Sequence, residues 1–267
     1  MKINLIAEIG WNHMGDMILA EKMIQEAKKS GADYCKFQTW SEKNLKPGPW
    51  DTDGRREIYK KAELTEEKHR LIKKICDNLK INFLTSVFNI NHLSFVSSIN
   101  SEIIKIPSHE VYNLPLIEKA TELFDKTLIS TGAANWNEIE KIAKIKNKNK
   151  IILMHCVSAY PCSLENINFP RLEKLKKLSS QVGYSGHYSG IDDALAAMTL
   201  GATFIEKHFT TNNDLPGRDN KFAILPNSFT LISKFRDNLE KMNIDRGLDL
   251  QDCEKDIYSN YRSRWSK

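Results

Sequence analysis

The sequence has no apolar run long enough to cross a membrane, a span that needs roughly 18–20 residues. Its 267 residues are 41% hydrophobic and 27% charged, an ordinary balance for a globular protein. The first apolar run begins at residue 3, with no basic and apolar leader before it. We therefore expect a cytoplasmic protein that does not contact a membrane.

The chain also has few cysteines, and they are poorly placed for cross-linking or zinc binding. The five cysteines are odd in number and show no CxxC spacing, which predicts reduced thiols. The net charge of +5 is modest, and the basic segment 141–150 has no interleaved aromatic residues. This pattern predicts no nucleic-acid binding, although lysines in a pocket can still hold a small anion.

No GxGxxG motif follows the first apolar run, which argues against an open dinucleotide-binding sheet. Short apolar runs instead alternate with amphipathic segments eight times, which predicts an α/β fold, a single-domain (β/α)8 TIM barrel, with a doubly wound sheet as the alternative. We place the barrel at residues 1–242 and a short C-terminal extension at 243–267, with 40–63 as a long loop. The predicted strands are 3–9, 33–38, 81–87, 102–107, 126–130, 150–156, 181–186 and 203–209.

Two histidines close consecutive predicted strands. His187 and His208 lie 21 residues apart, and segment 191–200 between them reads as one helix. In a parallel barrel both side chains would therefore reach the rim where active sites form. Neutral imidazoles there can hold a divalent metal and leave positions open for substrate. The alternative is an ordinary hydrogen-bonded role for each histidine.

Other polar residues at the strand ends suit an anionic substrate. Two lysines with several serine hydroxyls fit a phosphate and a carboxylate, a metal can polarise an aldehyde, and Glu110 can move a proton. This set indicates carbon–carbon bond formation between a phosphorylated enol and a sugar aldehyde. Lys207 would point away from the mouth, and Glu8 reads as structural. The candidates are Lys36, Gln38, Ser86, Lys105, Ser108, Glu110, Ser130, Tyr160, Ser185 and Asp219.

An ordered set of motifs resembles the sialic acid synthases and their relatives for legionaminic and pseudaminic acids. Each motif is weak alone, but together they run in order from residue 6 to about 220 and cover most of the chain. They are IAEIGxNHxGD at 6–16, GADYCKFQT at 31–39, KIPSHE at 105–110, ISTG at 129–132, LMHC at 153–156, GYSGH at 183–187, IEKHFT at 205–210 and PGRD at 216–219.

The resemblance implies a (β/α)8 synthase that condenses phosphoenolpyruvate with an N-acylated mannosamine-type sugar and releases phosphate. It implies a divalent metal, manganese with magnesium or cobalt as alternatives, held by His187 and His208. Glu110 matches the acidic residue beside the reacting centre. Phosphoenolpyruvate positions match Lys36, Ser86, Lys105, Ser108, Ser130 and Ser185, and sugar-contacting positions match Gln38, Tyr160 and Asp219.

The chain departs from this family at several positions. Met14 replaces a polar residue, Ser158 replaces an asparagine, and Gly186 stands where an aspartate is frequent. We expect the antifreeze-like C-terminal domain to be absent; in the family this domain lends an arginine to the partner of a homodimer. Arg262, Arg264 or a separate capping protein are candidates to replace that arginine.

Two other functions remain open from the sequence. Lys105 or Lys36 could act as the nucleophile of a Schiff-base aldolase in the same barrel. Met14, Ser158 and the expected absence of the C-terminal domain also suit a barrel that binds a sugar or a partner protein without catalysing a reaction.

Overall fold

The computed structural model describes residues 2–265 and contains a closed barrel of eight parallel strands, in which β8 pairs back with β1. This confirms the predicted TIM barrel, because all eight apolar runs form strands within one or two residues of their expected bounds. The strands are β1 Asn4–Gly10, β2 Tyr34–Thr39, β3 Asn82–Val87, β4 Ile103–Ile106, β5 Lys126–Ser130, β6 Ile151–Cys156, β7 Val182–Gly186 and β8 Phe204–His208.

Helices follow each strand around the outside of the barrel. One further helix, α2, lies within the segment 40–63 that we predicted as a loop, and it packs near the mouth. The α-helices of residues 2–265 are α1 Met17–Lys29, α2 Arg55–Ala62, α3 Glu66–Asn78, α4 Leu93–Ile99, α5 Leu114–Leu123, α6 Trp136–Ile142, α7 Pro170–Leu175, α8 Asp192–Thr199 and α9 Pro226–Met242.

Local side chains explain where several helices begin and end. Thr65 accepts a hydrogen bond from the Lys68 amide at 3.3 Å, and the Glu138 carboxylate accepts one from the Asn135 amide at 2.8 Å. These contacts satisfy amide groups that have no partner inside the helix. Gly31 and Gly201, with φ of +88° and +87°, follow α1 and α8 in the left-handed conformation that ends helices.

The barrel has two cores because successive strand residues face opposite sides. The larger core lies between the strands and the helices. A smaller cluster, which includes Ile6, Leu84, Leu128 and Phe204, fills the barrel interior. The next inward-facing residues toward the carboxyl ends of the strands are polar. The interior therefore has an apolar layer, with a charged layer above it toward the carboxyl ends of the strands.

Residues 243–265, which follow α9, do not pack into either core. Residues 243–265 are exposed, and they include a π-helical turn at Ile257–Tyr261. Ser266 and Lys267 lie outside the described residues. The division between the barrel and the C-terminal extension at 242/243 stays a prediction. Within residues 2–265, none of the helices combines the length and the apolar character that a membrane span requires.

Candidate active site

Four charged side chains form an alternating row inside the barrel, which we call the charge ladder: Glu8, Lys36, Glu206 and Lys105. Lys36 Nζ lies 2.9 Å from Glu8 Oε2 and 3.6 Å from Glu206 Oε1, and Lys105 Nζ lies 2.8 Å from Glu206 Oε2. Ser185 donates a hydrogen bond to Glu206 Oε1 at 3.0 Å. All five side chains are buried. The two lysines predicted to bind an anion therefore share one carboxylate.

The two carboxyl groups of the charge ladder have opposite pKa shifts. Burial raises the pKa of Glu8 to about 7, against the opposing effect of Lys36. Burial also disfavours ionisation of Glu206, but Lys105 and Lys36 outweigh it and lower the pKa of Glu206 to about 2. Glu206 is therefore ionised at neutral pH, whereas Glu8 can hold a proton there.

Sequence reasoning missed Glu206 and assigned Glu8 a structural role. The alternation of side chains along β8 could have identified Glu206. If His208 faces inward and Lys207 outward, then Glu206 must face inward beside the lysines. The ammonium partners of Glu206 come from β2 and β4, which the sequence pattern alone does not place next to it.

The two predicted metal ligands lie side by side at the mouth. The ring centres of His187 and His208 are 5.4 Å apart. Nδ1 of His187 lies 2.7 Å from the Val157 carbonyl oxygen, which can only accept, so Nδ1 carries a proton and Nε2 is the nitrogen left for a metal. Burial lowers the pKa of His187, but Cys156 and the Val157 carbonyl outweigh burial and raise this pKa above its ordinary value. Burial, the neighbouring His187 and Lys36 lower the pKa of His208 well below its ordinary value, so its ring is neutral.

Two aromatic rings cover the histidine pair. The Tyr160 ring centre lies 4.1 Å from that of His187, and the Phe222 ring centre lies 4.9 Å from that of His208. Tyr160 and Phe222 are themselves 5.7 Å apart. Tyr160 was a predicted sugar contact, and Phe222 was not identified from the sequence because it lies well beyond the strand end. The four rings form one packed group at the mouth.

Asp219 joins this group from the loop after β8. One of its carboxylate oxygens accepts a hydrogen bond from Trp11 Nε1 and lies 3.6 Å from His208 Nδ1. Burial raises the pKa of Asp219. The Tyr59 ring of α2 stacks on Trp11 at 5.2 Å, so the additional helix forms one wall of the mouth.

The remaining predicted residues lie around the charge ladder with contacts of their own. Gln38 donates to Glu8 Oε1 at 2.7 Å, Ser86 donates to the Phe37 carbonyl at 3.4 Å, and Ser108 donates to Cys156 Sγ at 3.4 Å. Ser130 is buried at the end of β5. These positions keep their predicted roles as predictions.

Glu110 is placed differently from the lysines. It lies in a 3-10 turn beyond β4, half-buried, and its carboxylate accepts a hydrogen bond from Asn113 at 2.9 Å. No contact between Glu110 and the charge ladder occurs within residues 2–265. Its role beside the reacting centre stays a prediction, and Glu8 and Glu206 are the carboxyl groups that the structure brings to the predicted lysines.

The histidine pair fits a metal that takes part of its coordination from elsewhere. His208 Nδ1 is buried and has no hydrogen-bond partner in the described part of the chain. No group of three or more His, Cys, Asp or Glu side chains in that part could hold an ion by itself. Two adjacent imidazoles with open coordination positions are suited to a metal that also contacts a substrate.

The structure shows the surroundings of several positions at which the sequence departs from the family pattern. A Cβ on Gly186 would overlap Asp193 Oδ2 and the Tyr184 ring, so the packing at this position requires glycine. Met14 adopts a φ of +49° beside Gly217. Arg262 and Arg264 stack on Tyr258 and on Tyr261 and Trp265 within the exposed tail. In this structure these two arginines contact the tail and not the mouth.

An arginine that the sequence analysis overlooked lies at the rim. Arg218 directly precedes Asp219, is exposed, and its guanidinium carbon lies 5.8 Å from the centre of the Tyr160 ring. Among residues 2–265 it has no ion-pair partner. Its donors are therefore available to a ligand.

Comparison with known proteins identifies the family. The NeuB family pattern matches residues 23–246. A N,N'-diacetyllegionaminic acid synthase of Campylobacter jejuni is 35% identical over 86% of this chain and 74% of that protein. A Drosophila melanogaster N-acetylneuraminate-9-phosphate synthase is 33% identical over 88% of this chain and 68% of that protein.

A solved structure agrees with the sequence matches. The N-acetylneuraminic acid synthetase of Leptospira borgpetersenii, in complex with citrate, superposes with a TM-score of 0.88 and 31% identity, covering 99% of this chain and 93% of that one. The chain therefore belongs to the NeuB family and is an enzyme of the sialic, legionaminic and pseudaminic acid synthase group.

Proposed function

We propose that this enzyme condenses phosphoenolpyruvate with an N-acylated amino-sugar aldehyde of the mannosamine type to give a nonulosonic acid and phosphate. The products named for its relatives, a diacetyllegionaminic acid and a 9-phosphorylated N-acetylneuraminate, support this reaction class. The observation that carries the proposal is the pair of buried lysines, Lys36 and Lys105, held on one carboxylate below the mouth.

The charge ladder is suited to a small, highly charged anion. With Glu8 protonated, two ammonium groups face one ionised carboxylate, Glu206, so the interior has an unbalanced positive charge. The phosphate and carboxylate of phosphoenolpyruvate can accept hydrogen bonds from these ammonium groups. Ser86, Ser108, Ser130 and Ser185 would supply further hydroxyl donors around them. In a site this dry, each such contact is stronger than it would be in water.

The proposed reaction forms a new bond first at C3 and then at C2 of phosphoenolpyruvate. C3 of phosphoenolpyruvate attacks the aldehyde carbon, and the aldehyde oxygen takes up a proton. Water then adds at C2 and gives up a proton. Phosphate leaves with cleavage of the C2–O bond, while the C2 hydroxyl releases its proton and the ketone forms. Glu8 can hold a proton at neutral pH, because its pKa lies near 7, and Glu110 is the predicted second proton carrier.

We propose that His187 and His208 hold a divalent metal, manganese first and magnesium or cobalt as alternatives. Bound there, the ion would polarise the aldehyde oxygen of the sugar. The chain's own contribution is to present two adjacent imidazole rings, one of them oriented by the Val157 carbonyl.

The rim would bind the sugar. Tyr160 and Phe222 offer ring faces, while Asp219 and Gln38 offer polar groups near the predicted acceptor position. We add Arg218 to this set, because its unpaired guanidinium beside Tyr160 can donate to an acyl carbonyl. A homodimer, a cytoplasmic location and a separate capping protein also remain proposals.

The test is manganese-dependent phosphate release from phosphoenolpyruvate, with N-acetylmannosamine and diacetamido-trideoxy hexoses as acceptors. We expect turnover with at least one acceptor and its loss in His187→Ala and His208→Ala. A folded, metal-loaded enzyme that is inactive with every acceptor would contradict the proposal.

Experiments on the same purified enzyme distinguish the Schiff-base aldolase from the proposed condensation. Lys105 has a pKa lowered by burial, the direction that a Schiff-base lysine needs, but it is paired with Glu206. A Schiff base would be trapped by borohydride, and activity would survive a chelator. The proposed condensation predicts no trapping and loss of activity in chelator.

A further inference from the structure

A second buried lysine–carboxylate pair lies on the outer face of the same strand that carries Glu206 and His208. Lys207 Nζ is 2.7 Å and 2.9 Å from the two carboxylate oxygens of Asp193, which lies in the first turn of α8. Both side chains are almost completely buried, at 2% and 0% exposure. Tyr184 donates to the same Asp193 carboxylate at 3.0 Å. None of these groups faces the mouth.

The ammonium group also joins the two strand ends that carry the histidines. Lys207 Nζ donates to the Tyr188 carbonyl at 2.6 Å. Tyr188 follows His187 directly, and Lys207 precedes His208 directly. One ammonium group therefore ties the residue after one histidine to the residue before the other. This contact limits how far the two imidazoles can separate.

The carboxylate that completes this contact comes from the helix and not from the strand. A Cβ on Gly186 would overlap Asp193 Oδ2 and the Tyr184 ring. The Asp193 carboxylate can therefore occupy this space because residue 186 has no side chain. The space beside the strand holds one carboxylate, and α8 supplies it.

We infer that Asp193 is a positioning residue for the histidine pair, acting through Lys207 to fix the separation of His187 and His208. The inference rests on the proposed metal-binding role of the two histidines. Asp193 touches neither ring and takes no part in the reaction. Groups that hydrogen-bond a metal ligand commonly change metal affinity by about 10–100-fold when they are removed, and because Asp193 acts through further contacts we expect the lower end of that range.

The first test measures Mn²⁺ alone, without substrates. Asp193→Asn keeps the size of the side chain but removes the charge that holds Lys207. We expect the Kd for Mn²⁺, measured by calorimetry or by electron paramagnetic resonance, to rise about 10-fold or more. Tm is measured in parallel.

The matched control is the ion pair between Asp33 and Arg236, at the opposite end of the barrel. Asp33 accepts from Arg236 at 2.7 Å and from the Leu5 amide at 2.8 Å, remote from the histidines. Asp33→Asn should lower Tm without changing the Kd for Mn²⁺. If both variants weaken Mn²⁺ binding equally, the effect follows from lost stability and the inference is overturned.

A double variant keeps the test decisive if Asp193→Asn folds poorly. Asp193→Leu combined with Lys207→Met removes both charges together, so no buried charge is left uncompensated. We expect this variant to fold and still bind Mn²⁺ about 10-fold more weakly than wild type, because the contact with the Tyr188 carbonyl is lost. Wild-type Mn²⁺ affinity in the double variant would overturn the inference.

The two proposals fail in different ways. Wild-type protein that does not bind Mn²⁺ would overturn the metal site and this inference together. Wild-type protein that binds Mn²⁺ while Asp193→Asn binds it equally well would overturn the positioning role and leave the proposed function intact.

Discussion

The buried lysines on the two sides of β8 differ in how completely they are paired. Inside the barrel, Lys36 and Lys105 share Glu206, and Lys36 reaches it at only 3.6 Å. Outside, Lys207 has Asp193 and the Tyr188 carbonyl, all within 2.9 Å. The inner lysines thus have donors to spare for a ligand, whereas the outer lysine is fully engaged in holding the strands.

This difference separates charge that serves binding from charge that serves architecture. Both systems are equally buried, so burial alone does not distinguish them. What distinguishes them is the balance of donors and acceptors. An anionic substrate can complete the inner set, but the outer set is complete without one.

The largest expected effect comes from removing an inner lysine. Lys105→Met should lower phosphate release by about 100–1,000-fold or more, the range found when one preorganised donor is lost. Steady-state phosphate release over a range of phosphoenolpyruvate concentrations, expressed as kcat/KM, checks this, and unfolding in urea checks that the variant is folded. The exposed Lys126→Met is the control and should keep wild-type turnover. Equal turnover in Lys105→Met would refute the binding role of the ladder.

The outer pair should behave as a structural contact in unfolding experiments. Lys207→Met leaves Asp193 buried and uncompensated, which should cost about 3–5 kcal/mol of unfolding free energy. The double variant Asp193→Leu with Lys207→Met removes both charges and should recover much of that loss. Urea denaturation of the single and double variants measures the difference. A double variant no more stable than the single one would contradict this interpretation.

Glu8 should make stability depend on pH within a defined window. Its pKa is raised from 4.5 to about 7, so the folded state binds more protons than the unfolded state between these values. Stability should therefore be highest on the acidic side of the window and fall as pH rises toward 7, by about 3 kcal/mol in total.

Glu8→Gln removes this titration. Its unfolding free energy should be flatter than that of wild type between pH 5 and 7, as measured by urea denaturation at several pH values. Glu206, with a pKa lowered to about 2, contributes the opposite slope only below pH 4.5, outside this window. An unchanged slope in Glu8→Gln would assign the pH dependence to other groups.

The smallest effect is expected at the rim. Arg218→Ala should raise the KM of the acceptor sugar by about 10-fold, the equivalent of one charge-assisted hydrogen bond. The KM of phosphoenolpyruvate should not change. Lys221→Ala in the same loop is the matched control. If both variants raise both KM values, the loop acts as a whole and Arg218 has no particular role.

Several parts of the site were predictable because strand alternation is a local property. His187 and His208 were found from their positions at the ends of two apolar runs, and Lys207 was expected to face outward, as it does. The same rule also applied to Glu206, which was overlooked. The structural role expected for Glu8 stays a prediction, and its pairing with Lys36 was not foreseen because Lys36 lies on another strand.

Other features were beyond sequence reasoning. Phe222, Arg218 and Asp193 lie in a loop or a helix, where no period of two indicates direction. Their roles depend on contacts with Tyr160 and Lys207 that form only when the loops fold over the mouth or α8 packs on the barrel.

The sequence by itself determined the closed barrel, the end of the barrel at which the chemistry gathers, and the family. These follow from repeated apolar runs and from ordered motifs, each readable within a few residues. Only the tertiary structure decided which charges meet. Lys105 and Glu206 are 101 residues apart and approach to 2.8 Å because barrel closure brings β4 and β8 to face the same interior. Pairing of that kind depends on the geometry of the whole sheet, which no local pattern encodes.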